Sequence, residues 1–145
     1  MATIVLLHGP NLNLLGQREP EVYGTATLDQ YVTTARNAAE ARGHTLEAFQ
    51  TNSEGELVDL IHAARQQFAA IIINPGAFTH YAWSIHDALA AFDGPIIELH
   101  ISNPNAREPW RHTSVVAPVA TGSIVGLGMH GYELAVAAVA AKLAQ

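Results

Sequence analysis

Residues 69–74 read Ala-Ala-Ile-Ile-Ile-Asn (AAIIIN). An unbroken apolar run of this length, closed by a polar residue, has the pattern of a strand buried on both faces, as in a parallel sheet. The residues on either side support that reading. Upstream, Ser53 and Glu56 have the spacing of a capping box, and Leu57, Leu60, Ile61, Ala64 and Phe68 come after them at helical intervals. Downstream, Thr79 is expected to cap a helix whose apolar face carries Ile85, Ala88, Leu89 and Phe92.

The same alternation continues outward. Thr3–His8 (TIVLLH) and Thr45–Gln50 read as strands on either side of a helix over Thr27–Arg42. That helix opens with a Thr27/Gln30 capping box and stops at Gly43. Pro95–Ile101 reads as a fourth strand, a weaker fifth is expected near Ser114–Pro118, and a last helix runs from about Gly131 to Leu143. Five strands separated by helices imply an α/β chain with a flavodoxin-like doubly wound parallel sheet, in the strand order 2-1-3-4-5. No linker or repeat interrupts residues 1–145, which are read as one catalytic domain.

Composition narrows the function. The 145 residues are 49% hydrophobic and carry a formal net charge of −6, which argues against nucleic acid as the main partner. Locally clustered arginines still leave room for an anionic small molecule. With no cysteine, thiolate catalysis and Cys-ligated zinc are out. The eight histidines are scattered without an HExxH pattern, so no metal site is expected. Lys142 is the only lysine, and its place near the end of the last helix makes it a poor Schiff-base former. No apolar run reaches the length of a membrane span. Met1–Leu7 enters a strand without a basic leader, so the expected location is cytoplasmic.

Ligands of such sheets bind beyond the carboxyl ends of the strands, at the switch point. There the sequence places His8-Gly9-Pro10-Asn11, Asn74-Pro75-Gly76 and His100-Ile101-Ser102-Asn103. The segment Gly9–Gly24 (GPNLNLLGQREPEVYG) is long for a strand-to-helix connection. Its leucines can pack, and Gly16 and Gly24 can hinge it, so residues 16–24 read as an active-site lid. The lid carries Arg18 and Tyr23. A phenol is a poor base at neutral pH, but a guanidinium beside it favours the phenolate. The alternative is that Tyr23 merely anchors the loop while Arg18 is solvated.

The combination Leu7–Leu15 (LHGPNLNLL), Arg18-Glu19-Pro20, Val22-Tyr23-Gly24, Asn74-Pro75-Gly76-Ala77, Glu98–Asn103 (ELHISN) and Ala120–Gly131 (ATGSIVGLGMHG) resembles the type II 3-dehydroquinate dehydratases over essentially the whole chain. The resemblance implies cofactor-free dehydration of 3-dehydroquinate to 3-dehydroshikimate, by anti elimination through an enolate, in the shikimate pathway of aromatic amino acid biosynthesis. Some members of the family serve quinate catabolism instead. It implies Tyr23 as base, Arg18 as its electrostatic partner, Asn11 as enolate stabiliser and His100 as general acid. It further implies substrate binding by Asn74, His80, Asp87, Ile101, Ser102 and Arg111, with Glu98 orienting His100. A homo-oligomer, trimers assembled into a dodecamer, is implied as well.

The chain departs from the family pattern at Pro104-Asn105, at Pro109-Trp110 and at Tyr81, Trp83 and His86. Two other readings compete. Gly126-Leu127-Gly128-Met129-His130-Gly131 is a literal G-x-G-x-x-G, but only one helix comes after it, with no further strand to carry an acidic residue. A non-catalytic flavodoxin-like binding or receiver module would need an acidic cluster or a Ser/Thr-rich phosphate loop at the strand ends. His8, Asn74 and Gly9-Pro10-Asn11 stand there instead.

Overall fold

The structure, a computed structural model, describes residues Met1–Gln145. Five parallel strands form one sheet: β1 (Thr3–His8), β2 (Thr45–Gln50), β3 (Ala70–Asn74), β4 (Ile96–His100) and β5 (Gly122–Val125), in the order β2-β1-β3-β4-β5. The expected fold class and strand order are thus observed. The helices are α1 (Pro20–Tyr23), α2 (Leu28–Glu40), α3 (Glu54–Gln67), α4 (Trp83–Ala90) and α5 (His130–Leu143).

Strand alternation sorts the core into two halves. Ile4, Leu6, Ile72, Ile97 and Leu99 pack with α2 and α5 on one face of the sheet. Val5, Leu7, Ile71, Ile73 and Ile96 pack with α3 and α4 on the other. The same parity decides what the polar strand ends meet. His8 and Asn74 fall on the α2/α5 face, while Glu98 and His100 fall on the α3/α4 face.

Local signals work where they are self-contained. The Thr27 hydroxyl accepts from the Gln30 N–H while the Gln30 side chain accepts from the Thr27 N–H, so the full capping box forms. Ser53 accepts from the Glu56 N–H at 3.1 Å, which is half of the expected box.

Two expectations fail. Ser114–Pro118 is no strand; the fifth strand is Gly122–Val125. Val115 and Val116 are buried, but as a plug beside the sheet: the Val115 N–H goes to the Thr79 carbonyl at 2.7 Å, and Pro118 cannot donate to a ladder. Nor does Thr79 cap α4. It sits in a 3-10 turn, Gly76–His80, and α4 starts at Trp83 after Ala82, which supplies no side-chain cap. The Thr79 hydroxyl is turned instead toward Glu98.

At the switch point the loops after β1 and β3 touch. The Gly9 N–H donates to the Asn74 carbonyl at 2.8 Å, and a Cβ at Gly9 would lie 2.2 Å from the Pro75 carbonyl oxygen. Only glycine permits that approach.

Candidate active site

The loop after β1 is built in two parts. Leu12 and Leu15 are buried in the α2/α5 core, which anchors its first half. The second half, from Gly16 (φ 88°) to Gly24 (φ 78°), holds α1 and is mostly exposed. Asn11 and Glu19 adopt left-handed backbone conformations (φ 69° and 40°), uncommon for residues other than glycine. Asn11 donates its N–H to the Asn52 side chain at 3.0 Å, and the Tyr31 hydroxyl donates to the Tyr23 carbonyl at 3.0 Å.

A cavity opens between this loop and the ends of β3 and β4. Its walls include Asn11, Arg18 and Tyr23 from the loop, Asn74 and His80 after β3, and His100, Ile101, Ser102, Arg107 and Arg111 after β4. Three of the chain's seven basic side chains therefore gather here despite the acidic total. Arg18 Nη2 donates to Glu19 at 2.7 Å and Arg111 Nε to Glu108 at 3.0 Å. These bonds hold both carboxyls below their usual range.

Tyr23 lies among cations. The Arg18 guanidinium stands 5.0 Å and that of Arg107 5.5 Å from its ring centre. Arg107 Nη1 donates to the Tyr23 hydroxyl at 2.8 Å and to Ser102 Oγ at 3.3 Å.

On the opposite wall, Glu98 and His100 are two apart on β4 and so share a face. His100 Nε2 lies 2.7 Å from Glu98 Oε2, which leaves Nδ1 for other partners. Thr79 also donates to Glu98, and Ser114 does so at 2.9 Å. Burial raises the carboxyl's pKa, but hydrogen bonds from His100, Thr79 and Ser114 outweigh it and leave the net shift downward. This is how a carboxylate survives inside an apolar face. His80 is pushed down by burial, partly offset by the Thr113 carbonyl at 2.8 Å from Nδ1.

The family model described as dehydroquinase class II matches residues 2–140. The chain belongs to that family. It is 52% identical over 138 residues to a 3-dehydroquinate dehydratase of Halalkalibacterium halodurans, covering 95% of each chain. It is 56% identical over 138 residues to a catabolic 3-dehydroquinase of Aspergillus clavatus, covering 95% of this chain and 92% of that one. The type II dehydroquinase structure from Propionibacterium acnes superposes with a TM-score of 0.91 at 44% identity, over 96% of both chains.

In this chain Asn11, Arg18, Tyr23, Asn74, His80, His100, Ile101, Ser102 and Arg111 meet around one cavity, with Glu98 behind His100. Asp87 does not join them: it is exposed on α4 and lines no part of the cavity. Helical geometry explains this, because Ile85, Ala88 and Leu89 take the inward face of α4. Arg107 was missed by sequence reasoning. The available signal was a second arginine in the polar stretch Ala106–Arg111 (AREPWR) after β4. Thr79 and Ser114, both bonded to Glu98, carried no signal beyond their polarity. Nowhere do three or more His, Asp or Glu side chains gather so as to hold a metal ion. No helix is long and apolar enough to cross a membrane.

Proposed function

We propose that this chain dehydrates 3-dehydroquinate to 3-dehydroshikimate without a cofactor, by anti elimination through an enolate. The observation that carries the reading is that Tyr23, bonded by Arg107, and His100, bonded by Glu98, line the same cavity. Tyr23 as phenolate takes the proton from the carbon alpha to the ketone. Arg18 and Arg107 put positive charge beside the oxygen that must carry negative charge. Asn11 stabilises the enolate oxygen, directly or through an ordered water. His100, as an imidazolium steadied by Glu98, gives its Nδ1 proton to the departing C1 hydroxyl. One turnover leaves the phenol protonated and the imidazole neutral, so a proton must return from one to the other before the next.

Asn74, His80, Ile101, Ser102 and Arg111 hold the substrate hydroxyls and carboxylate, Arg111 as the carboxylate partner. Residues 16–24 act as the lid whose closure brings Tyr23 to the substrate. We place the reaction in the shikimate pathway. The same reading carries a homo-oligomer of trimers within a dodecamer. The exposed Tyr81, Trp83 and Trp110 supply apolar surface for such contacts, and light scattering measures the assembly.

Purified protein mixed with 3-dehydroquinate should develop the ultraviolet absorbance of a conjugated enone. No change with authentic substrate would leave a non-catalytic binding module as the better reading. Lys142 is exposed on α5, away from the cavity, so borohydride with substrate should trap no covalent adduct.

A further inference from the structure

Behind the Asn74 wall lies a buried polar pair that the proposed reaction does not use. His8 ends β1 and Asn74 ends β3, and the two are partners in the parallel register. Tyr132, fully buried on α5, reaches both. Its hydroxyl stands 2.8 Å from His8 Nε2 and 3.4 Å from Asn74 Nδ2, the latter at the long end of the hydrogen-bond range. Its ring stacks on the His8 imidazole and tilts against Tyr31.

These bonds run in one direction. The Gly76 N–H donates to Asn74 Oδ1 at 3.3 Å, which turns the amide nitrogen toward Tyr132. An amide nitrogen only donates, so it donates to the Tyr132 oxygen. The arrangement that gives the phenol proton an acceptor then has the Tyr132 O–H donating to His8 Nε2, with the ring proton on Nδ1. His8 Nδ1 is itself buried and completes no hydrogen bond, although the Phe49 carbonyl nearby favours a proton on the ring. A buried imidazole in a native core calls for a reason, since an apolar ring would fill this space without a polar group to desolvate.

We propose that His8 and Tyr132 are positioning residues that lock the Asn74 carboxamide, so that its second N–H is the group offered to the substrate. This rests on the reading of Asn74 as substrate-binding. It makes that wall selective for an oxygen that accepts a hydrogen bond, a hydroxyl or carboxylate oxygen, over an ammonium or other pure donor in the same place.

Nitrogen-15 spectra of the unmodified protein should show His8 as the neutral Nδ1–H tautomer across about pH 6 to 8; the Nε2–H tautomer overturns the proposal. In kinetics, Tyr132→Phe should raise KM roughly five- to twenty-fold while kcat stays within about threefold. His8→Phe should match it, and His8→Gln, which keeps an acceptor, should restore KM. On an Asn74→Ala background, Tyr132→Phe should add nothing. If Asn74→Ala leaves KM unchanged, the substrate-binding reading of Asn74 fails. If Asn74→Ala raises KM but Tyr132→Phe does not, or the two effects add in full, the reading stands and the positioning role fails. Should a variant not fold, the tautomer in the unmodified protein still decides.

Discussion

Arg107 Nη1 lies 2.8 Å from the Tyr23 hydroxyl, although 84 positions separate the two residues. The bond spans the cavity, joining the loop after β1 to the loop after β4. Arg107 also approaches Glu19 at 4.0 Å and Glu108 at 3.8 Å, but its guanidinium hydrogen bonds go to the phenol and to Ser102 Oγ. Replacing it with Met keeps most of the stem and removes the charge. If that charge supports a phenolate, Arg107→Met should cost kcat about 10²- to 10³-fold, the scale of losing one oriented donor, with little change in thermal midpoint. Full kcat in the enone assay would remove Arg107 from the mechanism.

Tyr23→Phe separates chemistry from binding at the same place. The ring and its cation contacts remain, and the hydroxyl is gone. Turnover should become undetectable while a competitive inhibitor still binds within about tenfold, as expected when one reacting group is lost. Substantial residual turnover means that another group is the base.

Glu98 Oε2 lies 2.7 Å from His100 Nε2; if that bond steadies the acid, Glu98→Gln should lower kcat by about 10²-fold and change KM little. Stability should respond to acid in a matching way. The folded carboxyl is held below its ordinary 4.5, so its stabilising contribution is present above that pH. It is lost as pH falls through the lower folded value. Urea titrations below pH 4.5 should show the parent losing stability that Glu98→Gln does not lose.

Burial holds His8 at a pKa of about 4, against 6.5 for an ordinary histidine, with partial compensation from the Phe49 carbonyl. An unfolded chain therefore takes up a proton that the folded chain refuses. The associated stability is fully present above about pH 6.5 and drains away as pH falls toward 4, by on the order of 3 kcal/mol. His8→Gln should flatten urea midpoints across that window. An equally steep acid dependence in the variant would place the titration elsewhere.

Gly16 tests the lid. Its φ of 88° and the 3.0 Å that would separate an alanine Cβ from the Thr25 carbonyl oxygen make alanine costly there, by about 1–2 kcal/mol. Gly16→Ala should open residues 16–24 to protease and change kcat and KM together. An unaltered cleavage rate with parental kinetics argues against a hinge at this glycine.

Much of the candidate site was legible in the sequence because strand ends in a doubly wound sheet converge by topology. Once AAIIIN and its flanking helices are recognised, the strand ends that carry His8, Asn74 and His100 must be neighbours, and the long loop must cover them. Family motifs then assigned chemical roles that spacing left open, Tyr23 above all. Thr27 with Gln30 was readable for a different reason: a capping box is complete within four residues.

What the sequence by itself determined is therefore the order of elements, the polar strand ends and the position of the covering loop, all of which come from local periodicity and connection rules. Tertiary structure alone decided the rest. It moved the fifth strand to Gly122–Val125 because Val115 and Val116 are held beside the sheet, and it turned Thr79 from a helix cap into a donor to Glu98. It left Asp87 facing outward on α4, brought Arg107 to Tyr23, and set His8 against Tyr132 across 124 positions. These choices depend on which distant segments return to the same place. Side-chain hydrogen bonds act over a few ångströms, so their partners are fixed only when packing has closed the chain upon itself.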